Sequence, residues 1–175
     1  MPRFDDIPQF TRDGQYRVHV PWESVARTLV EFAQGAALDL DPDFQRGHVW
    51  TAEQQVRYVE FALRGGKTGR DILFNCPTWN RGRASESDPL VLVDGKQRLE
   101  AVRRFLGDEI GAFGHRFSEY EDRLGITGPQ FVFVVNDLKT RAEVLQWYID
   151  LNSGGTPHAD SEIERVRTLL ATERA

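Results

Sequence analysis

The stretch that most constrains this chain is LVLVDGKQRLEAVRRF, residues 90–105. Leu90–Val93 is an unbroken apolar run with β-branched residues, too short for a helix and lacking the in–out alternation of a half-exposed strand. Such a run belongs to a strand covered on both faces. It stops at Asp94-Gly95, and a helical pattern starts at once, with Leu99, Val102, Phe105 and Leu106 at core spacing. A buried strand feeding directly into a helix points that helix's N-terminus at the crevice beyond the sheet edge. QFVFVVND, residues 130–137, is a second strand of the same kind.

Around these two strands the rest of the chain falls into short elements. Tyr16–Val20 suits a short strand. Residues 21–35 read as a helix carrying Val25, Leu29 and Phe32 on one stripe. Residues 38–50 read as extended or looped, since Pro42 disfavours helix before it. Thr51 and Gln54 form a capping box opening a helix with Val56, Tyr58, Val59 and Leu63 on its buried side, ended by Gly65-Gly66. A strand at 71–77 and a polar excursion loop at 78–89 follow. Helices at 139–155 and 160–170 close the chain. At 175 residues this predicts one domain, spanning 1–175, in which helices pack a small mixed sheet.

Composition narrows the functional classes. Hydrophobic residues make up 40% and charged residues 28%, the balance of a globular protein, and no apolar run reaches membrane-spanning length. The start, MPRFDDIPQF, has no signal-peptide core, and Cys76 has no cysteine to pair with, so a cytoplasmic setting and no membrane partner are expected. A net charge of −5 argues against a wholly basic nucleic-acid face. Cations nevertheless cluster locally: Arg64, Lys67 and Arg70; Arg81 and Arg83; Lys96, Arg98, Arg103 and Arg104.

The Asp94–Arg98 corner has the chemistry of an anion site. Gly95 permits close approach or a positive φ, Lys96 and Arg98 bring charge, Gln97 brings an amide, and the helix start brings N–H groups. Asp94 repels phosphate, so its roles there are to hold Mg²⁺, accept a hydroxyl's hydrogen bond or act as a base. A plain Asp-Gly turn with a capping acid explains the same residues. A second Gln-Arg pair, Gln45-Arg46, lies between Phe44 and Trp50 and offers another wall. Asn152 stands beside the Gly154-Gly155 turn, where an amide can read a base or ribose. Trp79 and Arg81 suit a stacked or flipped base, or equally an exposed loop. Zinc spacing, a P-loop, a G-x-S-x-G elbow and G-x-G-x-x-G are all absent.

Taken in order, DFQRGHVWT, LVLVDGKQRLEAV and LNSGGTPHADSE resemble the sequence blocks of the GmrSD-type restriction-endonuclease N-terminal domain, domain-of-unknown-function family 262 of the ParB/sulfiredoxin-like superfamily. The resemblance covers about residues 40–165: Pro42, Gln45, Arg46 and Trp50; then Asp94, Gly95, Gln97, Arg98 and Leu99; then Asn152 and Gly155. It implies an α+β, ParB-like fold that binds a nucleoside triphosphate (ATP, GTP, CTP or UTP) with Mg²⁺ and works as an NTPase or kinase in DNA modification, restriction or phage–host conflict.

By that resemblance Asp94 is the catalytic or metal-side acid. By the same resemblance Gln97, Arg98 and Arg46 contact phosphates while Gln45 and Asn152 shape the pocket, Gly95 and Lys96 join that nucleotide site, and Arg98 and Gln97 also serve the catalysis. Apart from the resemblance, Trp79 and Arg81 are candidates to hold an acceptor such as a hydroxymethylated DNA base. DNA, a second copy and a partner chain are its implied partners. The sulfiredoxin-type cysteine is absent from the corner, so sulfinic-acid reduction is not expected. A non-catalytic DNA- or protein-binding module on the same fold is the alternative.

Overall fold

The computed structural model describes residues 10, 14, 16–35, 37–45, 50–79, 88–125, 127–153 and 160–174. The expected both-face strands are its organising feature. β4 (Leu90–Asp94) and β5 (Gln130–Asn136) are members of one mixed five-stranded sheet with β1 (Tyr16–Pro21), β2 (Leu38–Asp39) and β3 (Asp71–Asn75), in the order β1-β5-β3-β4-β2. β5 pairs antiparallel with β1 and parallel with β3, β3 pairs antiparallel with β4, and β4 pairs parallel with β2.

Successive side chains of these strands go to different cores. Phe131, Phe133 and Val135 join Ile72, Phe74, Leu90 and Leu92 in one cluster; Val132 and Val134 join Leu73 and Val93 in the other. The first cluster is closed by α1 (Val25–Gly35), α2 (Ala52–Leu63) and α3 (Lys96–Leu106). The second is closed by α4 (Arg141–Ser153) and α5 (Asp160–Glu173). The fold is therefore α+β, three layers deep, with the central strands apolar on both sides because both sides carry helices.

Most element boundaries fall within a few residues of expectation. Thr51 caps α2 with the reciprocal Gln54 capping box, and Arg64 closes it just before Gly65 at φ +87°. The first helix is the exception, expected from residue 21 but beginning at Val25. Pro21 still pairs with Gln130 in the sheet, and Trp22–Ser24 form a 3₁₀ turn that sinks Trp22 into the core at 1% exposure. Residues 108–129, given no element by sequence, hold a tight turn at Ala112–His115 and a 3₁₀ turn at Phe117–Glu119. Glycine and charged residues leave that stretch without a readable period.

One buried polar residue fixes the far end of the sheet. Asn75, 2% exposed, donates to the Leu138 carbonyl at 3.2 Å and accepts from the Leu138 N–H at 2.9 Å. Asn75→Leu removes both bonds and strands both backbone groups, so a loss of roughly 2–4 kcal/mol is expected in urea unfolding.

Candidate functional site

The β4–α3 corner is built by three local devices. A register shift between Leu73 and Phe74 pairs Leu73 with Asp94 but Phe74 with Leu92, which leaves an extra β4 residue just before the corner. Such a bulge breaks the alternation and re-aims the next side chain, here Asp94. Gly95 then sits at φ +101° as the N-cap of α3, with no side chain to cap the helix. A Cβ there would lie 2.6 Å from Ile72 Cδ1 and 3.2 Å from Ile72 Cα, so only glycine lets the helix start this close to β3.

The capping explanation of Asp94 is replaced by an ion pair. Arg98 Nη2 donates to Asp94 Oδ2 at 2.6 Å and to the Asp71 carbonyl at 3.0 Å. The Arg98 Nε is buried and has no hydrogen-bond partner. Trp22 Nε1 and Trp147 Nε1 are in the same condition, but Arg98 alone of the three carries charge and stands at the corner. The guanidinium stem lies by Gly69, whose added Cβ would be 3.3 Å from Arg98 Cδ, and Tyr58 roofs the same place, donating to the Gly69 carbonyl at 2.7 Å. Trp50 packs on Tyr58 with ring centroids 5.5 Å apart.

The other motif residues turn elsewhere. Gln97 Oε1 accepts from the Trp50 N–H at 3.1 Å, and Gln45 Nε2 donates to the Leu92 carbonyl at 2.6 Å. These two bonds thus tie Gln45 and Trp50 to the β4–α3 unit. Lys96 pairs with Asp41 and shares one stripe of α3 with Leu99, Glu100 and Arg103. That stripe, with Leu40, Asp41 and Leu92, lines an open cleft of about 200 Å³ beside β2. Ligand pockets usually run from about 300 Å³ upward, so this cleft is smaller than a typical small-molecule site.

The structure therefore gathers Asp94, Gly95 and Arg98 at one point, puts Lys96 on the cleft side, and uses Gln45 and Gln97 as ties. Asn152 donates to the Tyr148 carbonyl of its own helix at 2.6 Å. Trp79 is packed edge-on against Tyr16 at 5.1 Å and Phe32 at 5.6 Å, as part of the core fringe. Arg46 and Arg81 lie outside the described residues.

Sequence reasoning missed Tyr58 as a site residue, the backbone oxygens of Gly69 and Asp71, and the cleft residues Leu40, Glu100 and Arg103. Only Arg103 carried a signal, seven residues past Lys96 on one helix face. The alternating Asp39, Asp41 and Asp43 are absorbed by the fold: Asp39 accepts from the Asp41 N–H at 2.9 Å, and Asp43 takes a forked bond from Arg141 at 2.9 and 2.8 Å.

Magnesium does not fit Asp94 as the corner stands. The carboxylate already faces a guanidinium at 2.6 Å, which repels a dication. Among the described residues no group of three or more His, Cys, Asp or Glu is disposed to hold a metal.

Burial pushes the Tyr58 phenol up to about 12, against the lowering pull of Arg98 and Arg70. The unfolded chain loses this proton near pH 10 and the folded chain near pH 12, so the protonated phenol's contribution is whole below pH 10 and lost between them. Wild type is expected to lose roughly 2 kcal/mol more stability than Tyr58→Phe over that interval, measured by urea unfolding at stepped pH.

Among the described residues no helix is long and apolar enough to cross a membrane. No family model, no curated protein and no solved structure matches this chain.

Proposed function

We propose that the chain is a ParB-like nucleoside-triphosphate-binding enzyme, an NTPase or phosphotransferase acting on DNA or its modified bases, with the β4–α3 corner as its phosphate site. The observation that carries this reading is Arg98. Its side chain is only 22% exposed, its Nε lacks an acceptor, and it lies beside a helix start that no side chain caps. An orphaned donor costs about 1–3 kcal/mol, which an anionic acceptor at the corner recovers. Phosphate is an acceptor suited to a guanidinium and a helix N-terminus together.

In the transfer version, a γ-phosphate oxygen competes with Asp94 for Arg98 and frees the carboxylate. Asp94 then takes the proton of the acceptor hydroxyl as that oxygen bonds to the γ-phosphorus. The bond from the γ-phosphorus to the bridging oxygen breaks, and the nucleoside diphosphate leaves with the electron pair. Lys96 holds the nucleotide from the cleft side, and with water as acceptor the same steps are hydrolysis. The test supplies γ-labelled triphosphates with water alone, plain DNA and hydroxymethylated DNA. Label moving to DNA or to inorganic phosphate supports the reading; label remaining wholly in the triphosphate refutes it.

The second reading is a non-catalytic module, and it too has an observation in its favour. Asp94–Arg98, Gln97–Trp50 and Gln45–Leu92 are all internal ties, and a corner held only by such ties is a scaffold for a protein or DNA partner.

A further inference from the structure

A different surface has the make-up of a nucleic-acid strand's seat. α2 and β3 are joined by RGGKTGR, residues 64–70, which places three cations in seven residues of a chain whose net charge is −5. Arg64 and Lys67 are exposed and Arg70 half-buried, and no described acid pairs with any of them. Among the described residues most other basic side chains are spent in pairs, as with Lys96 on Asp41, Arg104 on Glu109 and Arg141 on Asp43.

Two exposed aromatic rings flank the loop. Phe61 is 44% exposed and lies against Gly66, where an added Cβ would be 2.3 Å from its ring. Phe113 is 42% exposed, with the Arg64 guanidinium 5.1 Å from its ring centre. Phe113 is held there at a conformational cost. It occupies the first position of a two-residue turn closed by Ala112 N–H to His115 carbonyl at 2.8 Å and the reverse bond at 3.0 Å. Both turn residues have positive φ, 51° at Phe113 and 82° at Gly114. Such turns favour Asn-Gly, and a bulky aromatic at φ +51° is a strained choice. Glu60 of α2 offsets it by accepting the Phe113 N–H at 2.8 Å, while Arg64, just past the end of α2, faces the ring.

We propose that Phe61, Phe113 and the 64–70 loop bind single-stranded nucleic acid, with the rings stacking on bases and Arg64, Lys67 and Arg70 neutralising phosphates. Exposed aromatics interleaved with cations that no described acid neutralises match this ligand because every base has a stacking face and every linkage a charge. Duplex fits poorly, since its bases are already stacked and three cations cover few of its phosphates. Gly69, next to last in the loop, lies against Arg98, so a strand lying on the loop reaches the corner. The proposal stands apart from nucleotide binding there.

The test is fluorescence anisotropy of a short labelled oligo-dT over a series of salt concentrations. Wild type is expected to bind with log affinity falling on log salt at a slope of about −2, some −0.7 for each of three cations. Phe113→Asn puts a residue that tolerates left-handed backbone into the turn, so the melting temperature should hold or rise while affinity drops roughly tenfold. Arg64→Gln with Lys67→Gln should flatten the slope to about −0.7. No binding at low salt, equal affinity of wild type and Phe113→Asn, or tighter binding to duplex than to single strand would each overturn the proposal. ATP binding measured on Phe113→Asn separates the two sites, because it should equal that of wild type even where the strand is lost.

Discussion

Alanine at position 95 is expected to destabilise the protein by roughly 2–5 kcal/mol. Gly95 stands at φ +101°, where a side chain costs about 1–2 kcal/mol through its clash with the following carbonyl. The new Cβ would also meet Ile72 Cδ1 at 2.6 Å, Ile72 Cα at 3.2 Å and the Asp71 carbonyl at 3.3 Å. Ile72 is fully buried, so its methyl has little room to retreat, and overpacking of this kind costs about another 1–3 kcal/mol. Relief requires β4 and α3 to move away from β3, which stretches the Arg98 bond to Asp71 and the Gln97 bond to Trp50. Urea unfolding measures the loss. A change within about 0.5 kcal/mol of wild type would show that α3 does not need this close start.

Asp94→Asn is expected to lower triphosphate turnover by about 10²–10⁴-fold while leaving the fold intact. The side chain is 39% exposed and its pair with Arg98 only partly shielded, so the amide should cost at most about 1 kcal/mol. Asparagine keeps the size and an oxygen for Arg98 but cannot take a hydroxyl proton at neutral pH. Nucleotide binding should persist, because phosphate competes with Asp94 for Arg98 and the variant weakens the competitor. Single-turnover measurement separates the two effects. Full turnover in the variant would reduce the pair to a structural tie and favour the scaffold reading.

The strand-to-helix corner was legible because LVLVD and the 3.6-residue spacing after it leave few arrangements open. The two-layer cover of β4 and β5 followed from their unbroken apolar runs. The bulge at the corner was not legible, because Val93 reads as one more apolar strand residue whether or not it pairs. Nor was the separation of Lys96 from Arg98: adjacent polar residues on one short motif invite grouping, but two positions along a helix diverge by about 200°. Gln45 and Gln97 illustrate a further limit. Their types suit ligand contacts and backbone ties equally, and only the positions of Leu92 and Trp50 decide between them. Gln55 shows the same ambiguity. It is fully buried on α2, where a polar residue breaks the apolar stripe, and it accepts from Arg104 Nη1 at 2.7 Å.

The measurement with the greatest leverage on triphosphate binding at the corner is calorimetric titration of ATP, GTP, CTP and UTP with Mg²⁺ into wild type and Arg98→Ala. The expected result is saturable binding of at least one triphosphate by wild type, weakened at least tenfold in Arg98→Ala, in line with loss of about 1.5–3 kcal/mol of charge-assisted hydrogen bonding. The contrary result is no heat of binding with any of them, or equal affinity in a folded Arg98→Ala, and either would remove the corner as a phosphate site.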